Sequence, residues 1–144
     1  MKITLISSSL DVGGAERVMS IIANYWAARG WQITILTFDD GSQSPFYDLD
    51  KRIDRRSLGL KNRSGYGISV LRHNLHQIQL LKQAIVASHP DLVISFVNTT
   101  NIMTLLAGWS LKVPTIVSEH VYPAFHGLSK IYHLLKSGLI VGLR

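Results

Sequence analysis

The chain has 144 residues, 47% of them apolar and 17% charged, with no cysteine and a formal net charge of +6. A chain of this length forms one domain with a real core, burying roughly 70% of its unfolded surface, and its composition excludes a disordered polymer. Without cysteine there is neither a disulfide framework nor a thiolate metal site, as fits a reducing compartment, and no window approaches the ~18 apolar residues of a transmembrane helix.

The elements alternate. Residues 2–7, KITLIS, form an apolar run too short for the core of a secretory leader and lacking a small-residue cleavage site, so they are predicted to be a buried strand. After Gly13 and Gly14, the residues Ala15, Val18, Met19, Ile22, Tyr25 and Trp26 follow helical spacing, and Gly30 is a natural terminator. WQITILTF, rich in β-branched and aromatic residues, is a second strand closed by DDGSQSP. RIDRRSLGL has room for a short third strand. Ile68, Leu71, Leu75, Ile78, Lys82 and Ile85 recur at steps of three and four and predict a helix ended by Pro90, with Lys82 the one break in its apolar stripe. DLVISFV is a near-continuous apolar strand, as expected where both faces are covered. NTTNIMTLLAGWSLK reads as a short helix with polar capping residues in front, and VPTIVSEH as the next strand. The tail LSKIYHLLKSGLIVGLR begins as a helix and stops, leaving the sheet short of strands. There is no repeat and no internal domain boundary. The fold class is therefore α/β: a Rossmann-like, doubly wound parallel sheet with right-handed crossovers and helices on both faces.

Ligands of open parallel sheets bind beyond the carboxyl ends of the strands. SLDVGGAE, NTTN and SEHVYP all fall there, and all are polar where packing asks for nothing polar. Gly13 and Gly14 would let the backbone turn sharply and approach a ligand, and the following helix would present its free N–H groups to a phosphate. A tight turn with no ligand is the alternative. A dinucleotide fingerprint fails, because Asp11 and Arg17 occupy its outer glycine positions, although Asp39 lies 25 residues after Gly14, roughly where a ribose-binding acid would stand. Glu119 and His120 pair a carboxylate with an imidazole at a strand end and could position or exchange a proton with a hydroxyl substrate, unless they are simply surface residues. His126 and His133 follow, but the spacings match no zinc signature and no metal is expected. His73, His76 and His89 lie on or at the end of a polar helix face, and no function is assigned to them. Between Lys51 and Lys82, eight basic residues (Lys51, Arg52, Arg55, Arg56, Lys61, Arg63, Arg72, Lys82) face a single acid, Asp54. Such a segment attracts phosphates, anionic lipid or nucleic acid, or is a solvated face.

VGGAERVMSIIANYWAARGWQITILT resembles the opening of the N-terminal domain of subfamily-4 glycosyltransferases, enzymes of GT-B architecture. SPFYDLD, PDLVISFVNTTNIMTLLA and VPTIVSEHVYP are similar to the same family in the same order, so that the resemblance covers residues 1 to about 125. It implies two Rossmann-like domains facing across a cleft, with the acceptor held mainly by the N-terminal one and the sugar nucleotide by the C-terminal one. Gly13 and Gly14 would then lie beside the diphosphate of a UDP- or GDP-sugar. Glu16, Asn98, Thr99 and Glu119 would contact substrate, and His120 would be closest to a catalytic role. The family transfers sugar with retention of configuration, requires no bound metal or further cofactor, and includes enzymes that use lipid-linked acceptors in polysaccharide or glycoconjugate assembly. A cytoplasmic location follows, with the basic segment at residues 51–82 docked peripherally on the inner face of the cell membrane and no nucleic acid partner. Two departures stand out. Family members run to about twice this length, so that residues 1–144 correspond to an incomplete N-terminal, acceptor-side domain without the C-terminal, paired-glutamate donor domain, and are expected to transfer no sugar alone. His120 also stands where many relatives reading SER have arginine. A non-catalytic binding or accessory module of the same fold is the alternative.

Overall fold

The computed structural model describes residues 1–60 and 68–119. Its elements are β1 (Lys2–Ser7), α1 (Gly14–Ala28), β2 (Gln32–Thr37), β3 (Asp54–Ser57), α2 (Ile68–Ser88), β4 (Leu92–Phe96), α3 (Asn98–Gly108) and β5 (Thr115–Ser118). The strands form one parallel sheet in the order β3-β2-β1-β4-β5. β1 is central, pairing from Lys2↔Gln32 to Ser7↔Thr37 on one side and from Ile3↔Leu92 to Ile6↔Ser95 on the other. The short third strand expected within RIDRRSLGL is present, as an exposed edge strand. It is reached from β2 without an intervening helix.

Strand alternation splits the core in two. Ile3, Leu5, Ile33 and Ile35 pack with Ala15, Met19, Ala23 and Ala27 of α1. Ile6, Leu36 and Val93 pack on the other face with Leu81 and Ile85 of α2 and Ala107 of α3. Helices cover both faces, as the doubly wound pattern requires. α1 ends where predicted: Gly30 adopts φ +81°, its N–H donates to Ala27 O at 3.0 Å, and the Trp31 N–H donates to Trp26 O at 3.1 Å. This is the six-to-one, five-to-two bonding pattern that needs a left-handed residue after the helix. Trp26 and Trp31 stack over it with ring centroids 5.7 Å apart.

The helices are rotated from the faces expected of them. In α1 the buried line is Ala15, Met19, Ala23 and Ala27, whereas Val18 and Tyr25, expected inside, are 42% and 51% exposed. Small side chains let the helix approach the sheet closely, and the larger ones are displaced to its flank and outer face. The Arg29 guanidinium lies 4.0 Å from the Tyr25 ring centroid, an arrangement that favours both partners in water. In α2 the buried line is Gln77, Leu81 and Ile85, and Leu75 is exposed. A glutamine holds a core position there because its Nε2 pairs with His73 Nε2 at 2.9 Å, while Lys82 turns aside and donates to Ser110 Oγ at 2.6 Å. In the loop that replaces a β2–β3 helix, Asn24 of α1 bonds to Asp48 O and to the Asp50 N–H, each at 2.8 Å. The Arg52 guanidinium and N–H hold the half-buried Asp50 carboxyl well below the usual carboxylate range.

NTTN does not precede α3 but forms its first turn, and Thr100 and Asn101 are buried. The Asn101 side chain ties three elements together. Ser95 Oγ of β4 donates to its Oδ1 at 2.7 Å, and its Nδ2 donates to Ser118 O of β5 at 3.1 Å. Thr104 Oγ1 donates to Ser95 Oγ at 3.1 Å, completing a network whose side chains are inaccessible to water. Breaking it strands buried polar groups, which costs more than the bonds themselves contribute. Asn101→Ala is therefore expected to lower unfolding free energy by about 2–4 kcal/mol. The exposed neighbour substitution Thr99→Ala should stay within about 0.5 kcal/mol, both read from urea denaturation.

Candidate functional site

Parallel pairing brings the segments after β1, β4 and β5 to one edge of the sheet, on neighbouring strands. Gly13 and Gly14 follow β1, Asn98 and Thr99 follow β4, and Glu119 follows β5. These candidate residues share one edge, as the sequence pattern requires. His120, the candidate catalytic residue, lies outside the described residues, as do His126 and His133. Thr99 is exposed, Glu16 and Glu119 are half-buried, and Asn98 is the first residue of α3.

The glycine pair differs from expectation in its reason for being glycine. Gly13 is extended at φ −177°, a conformation open to any residue, and Gly14 is already helical. No sharp turn demands either one. A Cβ on Gly13 would fall where the Glu16 carboxylate folds back over it, while a Cβ on Gly14 would meet nothing within 4 Å. The Glu16 carboxylate therefore lies over the start of α1. Among the described residues no side-chain hydrogen bond caps that end, and its first intrahelical bond is Arg17 N–H to Gly13 O at 3.0 Å. The N–H groups of Gly14, Ala15 and Glu16 thus face outward at the positive end of a helix. Tyr47 Oη donates to Gly13 O at 3.2 Å and braces the loop from behind.

Two features of this edge gave no readable signal in the sequence. Ser7 Oγ, at the end of β1, is fully buried and has no hydrogen-bond partner among the described residues; the alternation that sends Ile3 and Leu5 toward α1 sends Ser7 the same way. Val97, the residue before α3, has φ +73° and ψ 140°. A β-branched residue rarely adopts that conformation, and holding it there costs about 1–3 kcal/mol. It is kept by Val97 N–H to Ser118 O at 3.3 Å and Asn101 N–H to Val97 O at 2.9 Å. Such strain concentrates at ligand sites. A valine predicts only strand, so the sequence could not show it. Among the described residues no side chain caps the α3 N-terminus either.

The basic segment is less uniform than its composition. Arg52 pairs with Asp50 at 2.6 Å and Arg56 with Asp54 at 2.7 Å. Lys51 lies on the loop fastened to α1, Arg72 is on α2 across the sheet, and Lys61 and Arg63 fall outside the described residues. The described cations therefore do not form one patch. Among the described residues no three His, Asp or Glu side chains converge as a metal site, and no helix is long and apolar enough to cross a membrane.

The sequence profile of the glycosyl transferase 4-like domain matches residues 13–140. The chain belongs to this glycosyltransferase family. Among curated proteins it is 33% identical over 129 residues to the GalNAc-alpha-(1->4)-GalNAc-alpha-(1->3)-diNAcBac-PP-undecaprenol alpha-1,4-N-acetyl-D-galactosaminyltransferase of Campylobacter jejuni. The match covers 87% of this chain and 34% of that enzyme, so the chain spans about a third of its relative's length. Among solved structures, sucrose-phosphate synthase from Thermosynechococcus elongatus superposes with a TM-score of 0.68 at 9% identity, over 96% of this chain and 40% of that one. Phytolacca americana UGT2, complexed with UDP-2fluoro-glucose and pterostilbene, gives 0.57 at 12% identity, over 99% and 35%. The fold is that of one Rossmann-like domain of a GT-B glycosyltransferase.

Because Gly14 has helical geometry and free space around it, Gly14→Ala should leave thermal stability unchanged or raise it by up to about 1 kcal/mol. A loss of stability in the melting curve would return Gly14 to a backbone role.

Proposed function

We propose that this chain is the N-terminal, acceptor-side domain of a retaining glycosyltransferase that moves a sugar from a UDP- or GDP-sugar to a lipid-linked glycan in polysaccharide or glycoconjugate assembly. The observation that carries this reading is the start of α1, where no described side chain caps the free N–H groups and the backbone requires neither glycine. A diphosphate placed there accepts hydrogen bonds from the Gly14, Ala15 and Glu16 N–H groups, and the helix end stabilises the charge that develops on it as the sugar departs. Ser7 Oγ supplies a further polar group beneath the loop. The Glu16 carboxylate, which lies over Gly13, swings aside as a diphosphate enters and accepts sugar hydroxyls. Asn98, Thr99 and Glu119, on the adjoining strand ends, orient the acceptor, and His120 handles the proton of its attacking hydroxyl. The name of the C. jejuni relative makes N-acetylgalactosamine the first sugar to test and a polyprenyl diphosphate glycan the first acceptor.

A closed cleft must hold both substrates, since positioning supplies much of the rate. Residues 1–144 alone are therefore expected to transfer no sugar, and transfer should appear when a donor-binding domain is supplied. In that reconstituted enzyme, Gly14→Val should lower donor use at least tenfold by steric exclusion, and His120→Ala should lower turnover by about a hundredfold or more while weakening donor binding less. UDP and GDP should shift the backbone amide signals of residues 14–17 in the isolated chain. No shift there, together with no transfer after reconstitution, would favour a non-catalytic module.

The outer face of α1 supports the reading of peripheral membrane contact. Its exposed residues include Arg17, Val18, Ile21, Tyr25 and Arg29 and no acid, a combination suited to an anionic bilayer surface. The chain should bind anionic vesicles more than neutral ones, with affinity falling as salt rises. Ile21→Glu should weaken that binding in flotation assays. Equal binding to both lipids would show the face to be merely solvated.

A further inference from the structure

Asn101 holds two pieces of backbone, and both lead directly into the candidate site. Its N–H donates to Val97 O at 2.9 Å and closes the turn of α3 that carries Asn98 and Thr99. Its side-chain Nδ2 donates to Ser118 O at 3.1 Å, at the peptide bond that leads to Glu119. Asn101 itself is fully buried, so no substrate reaches it.

Ser118 O also accepts from the Val97 N–H, at 3.3 Å, and a carbonyl oxygen has two lone pairs for such donors. The peptide unit is planar, so holding this carbonyl sets the direction of the Glu119 N–H and the position of the Glu119 Cα. The amide has one orientation that satisfies its neighbours. Ser118 O can only accept, so Nδ2 must face it, and Oδ1 accepts from the Ser95 hydroxyl at 2.7 Å. Thr104 Oγ1 donates in turn to Ser95 Oγ at 3.1 Å. Ser95, Asn101 and Thr104 are all fully buried, where no water competes for these bonds. Val97 is thus held on both sides, and its φ of +73° is one that a valine leaves when it is free to do so. Leaving it would carry Asn98 and Thr99 away from Glu119.

We propose that Asn101 is a positioning residue for sugar transfer: its one amide fixes Glu119 relative to Asn98 and Thr99, so that groups from β4 and β5 meet the acceptor hydroxyl in a single geometry. The role rests on the glycosyltransferase reading of this edge; the link between the two strand ends does not. Asn101 acts through the backbone and touches no reacting atom. Its loss falls on turnover rather than on donor affinity, because a misplacement of about 1 Å can cost about a hundredfold in rate. A polar network that only stabilises the core would be disturbed as well through Thr104, which belongs to the network but not to the link.

The test compares Asn101→Ala with Thr104→Ala, which removes one bond of the network and leaves the Ser118 bond in place. In the isotope-labelled 144-residue chain, Asn101→Ala should shift the Glu119 amide signal and speed hydrogen exchange at Val97 about tenfold or more. Thr104→Ala should leave both near their parent values. With a donor-binding domain supplied, at a temperature where each variant is folded, Asn101→Ala should lower kcat about tenfold to a hundredfold. Its KM for UDP-N-acetylgalactosamine, and the kcat of Thr104→Ala, should stay within about twofold of the parent. Should Asn101→Ala fail to fold, Val97→Gly is added, since glycine takes the left-handed backbone without strain. Against Val97→Gly alone, the double variant should still lose turnover, because the Ser118 bond is still missing. An unmoved Glu119 amide, equal kcat losses in the two single variants, or full turnover in the double variant overturns the positioning role alone. No transfer by the parent chain with the donor domain would overturn the glycosyltransferase reading, and this role with it.

Discussion

Everything at the candidate site follows from β1 being hydrogen-bonded to a parallel neighbour on each side. Parallel pairing aligns the strand directions, so each strand releases its chain at the same edge, whatever connects it to the next. The registers Ser7↔Thr37 and Ile6↔Ser95 make this concrete: the segment after β1 emerges between those after β2 and β4. Ser8 O accepts from the Phe38 and Asp39 N–H groups at 3.1 and 3.2 Å because that register leaves it beside them. A one-residue slip would send Ile3 and Leu5 to the wrong face and carry the glycine pair with them.

The sequence made the alternation and the edge legible because both rest on one-dimensional signals, apolar runs separated by turn chemistry. Helix faces were read less well. Val18, Tyr25 and Leu75 are apolar and in phase, yet exposed, because closeness to the sheet, which no periodicity records, selected Ala15, Ala23 and Ala27 for the contact. Gln77 reads as surface and is core, its polar end matched by His73 one turn away. NTTN reads as polar capping residues in front of a helix and is the helix's first turn, since Asn101 makes its hydrogen bonds inside the protein. In each case a pairwise contact overrode a local preference.

The same distinction separates the two strand-to-helix junctions. After β1 the backbone is relaxed; Gly13 makes room for the Glu16 carboxylate and Gly14 leaves space open. After β4 the backbone is strained at Val97, and a dry network of Ser95, Asn101 and Thr104 holds it. Strain persists only where surrounding contacts over-determine it. Asn101 meets that condition, since moving Val97 would break bonds at both β4 and β5. The first junction can therefore yield to a ligand, whereas the second is a fixed reference for the groups that follow it.

Charge is divided along the edge in the same sense. The ends of α1 and α3, uncapped among the described residues, follow β1 and β4 and present partial positive charge, with Arg17 and Glu16 the charged side chains of their first turns. Asp11, Asp39 and Asp40 lie together on the β2 side. Helix-end effects fall off within a turn, and exposed charges are screened over about 8 Å in physiological salt, so each region acts on what touches it.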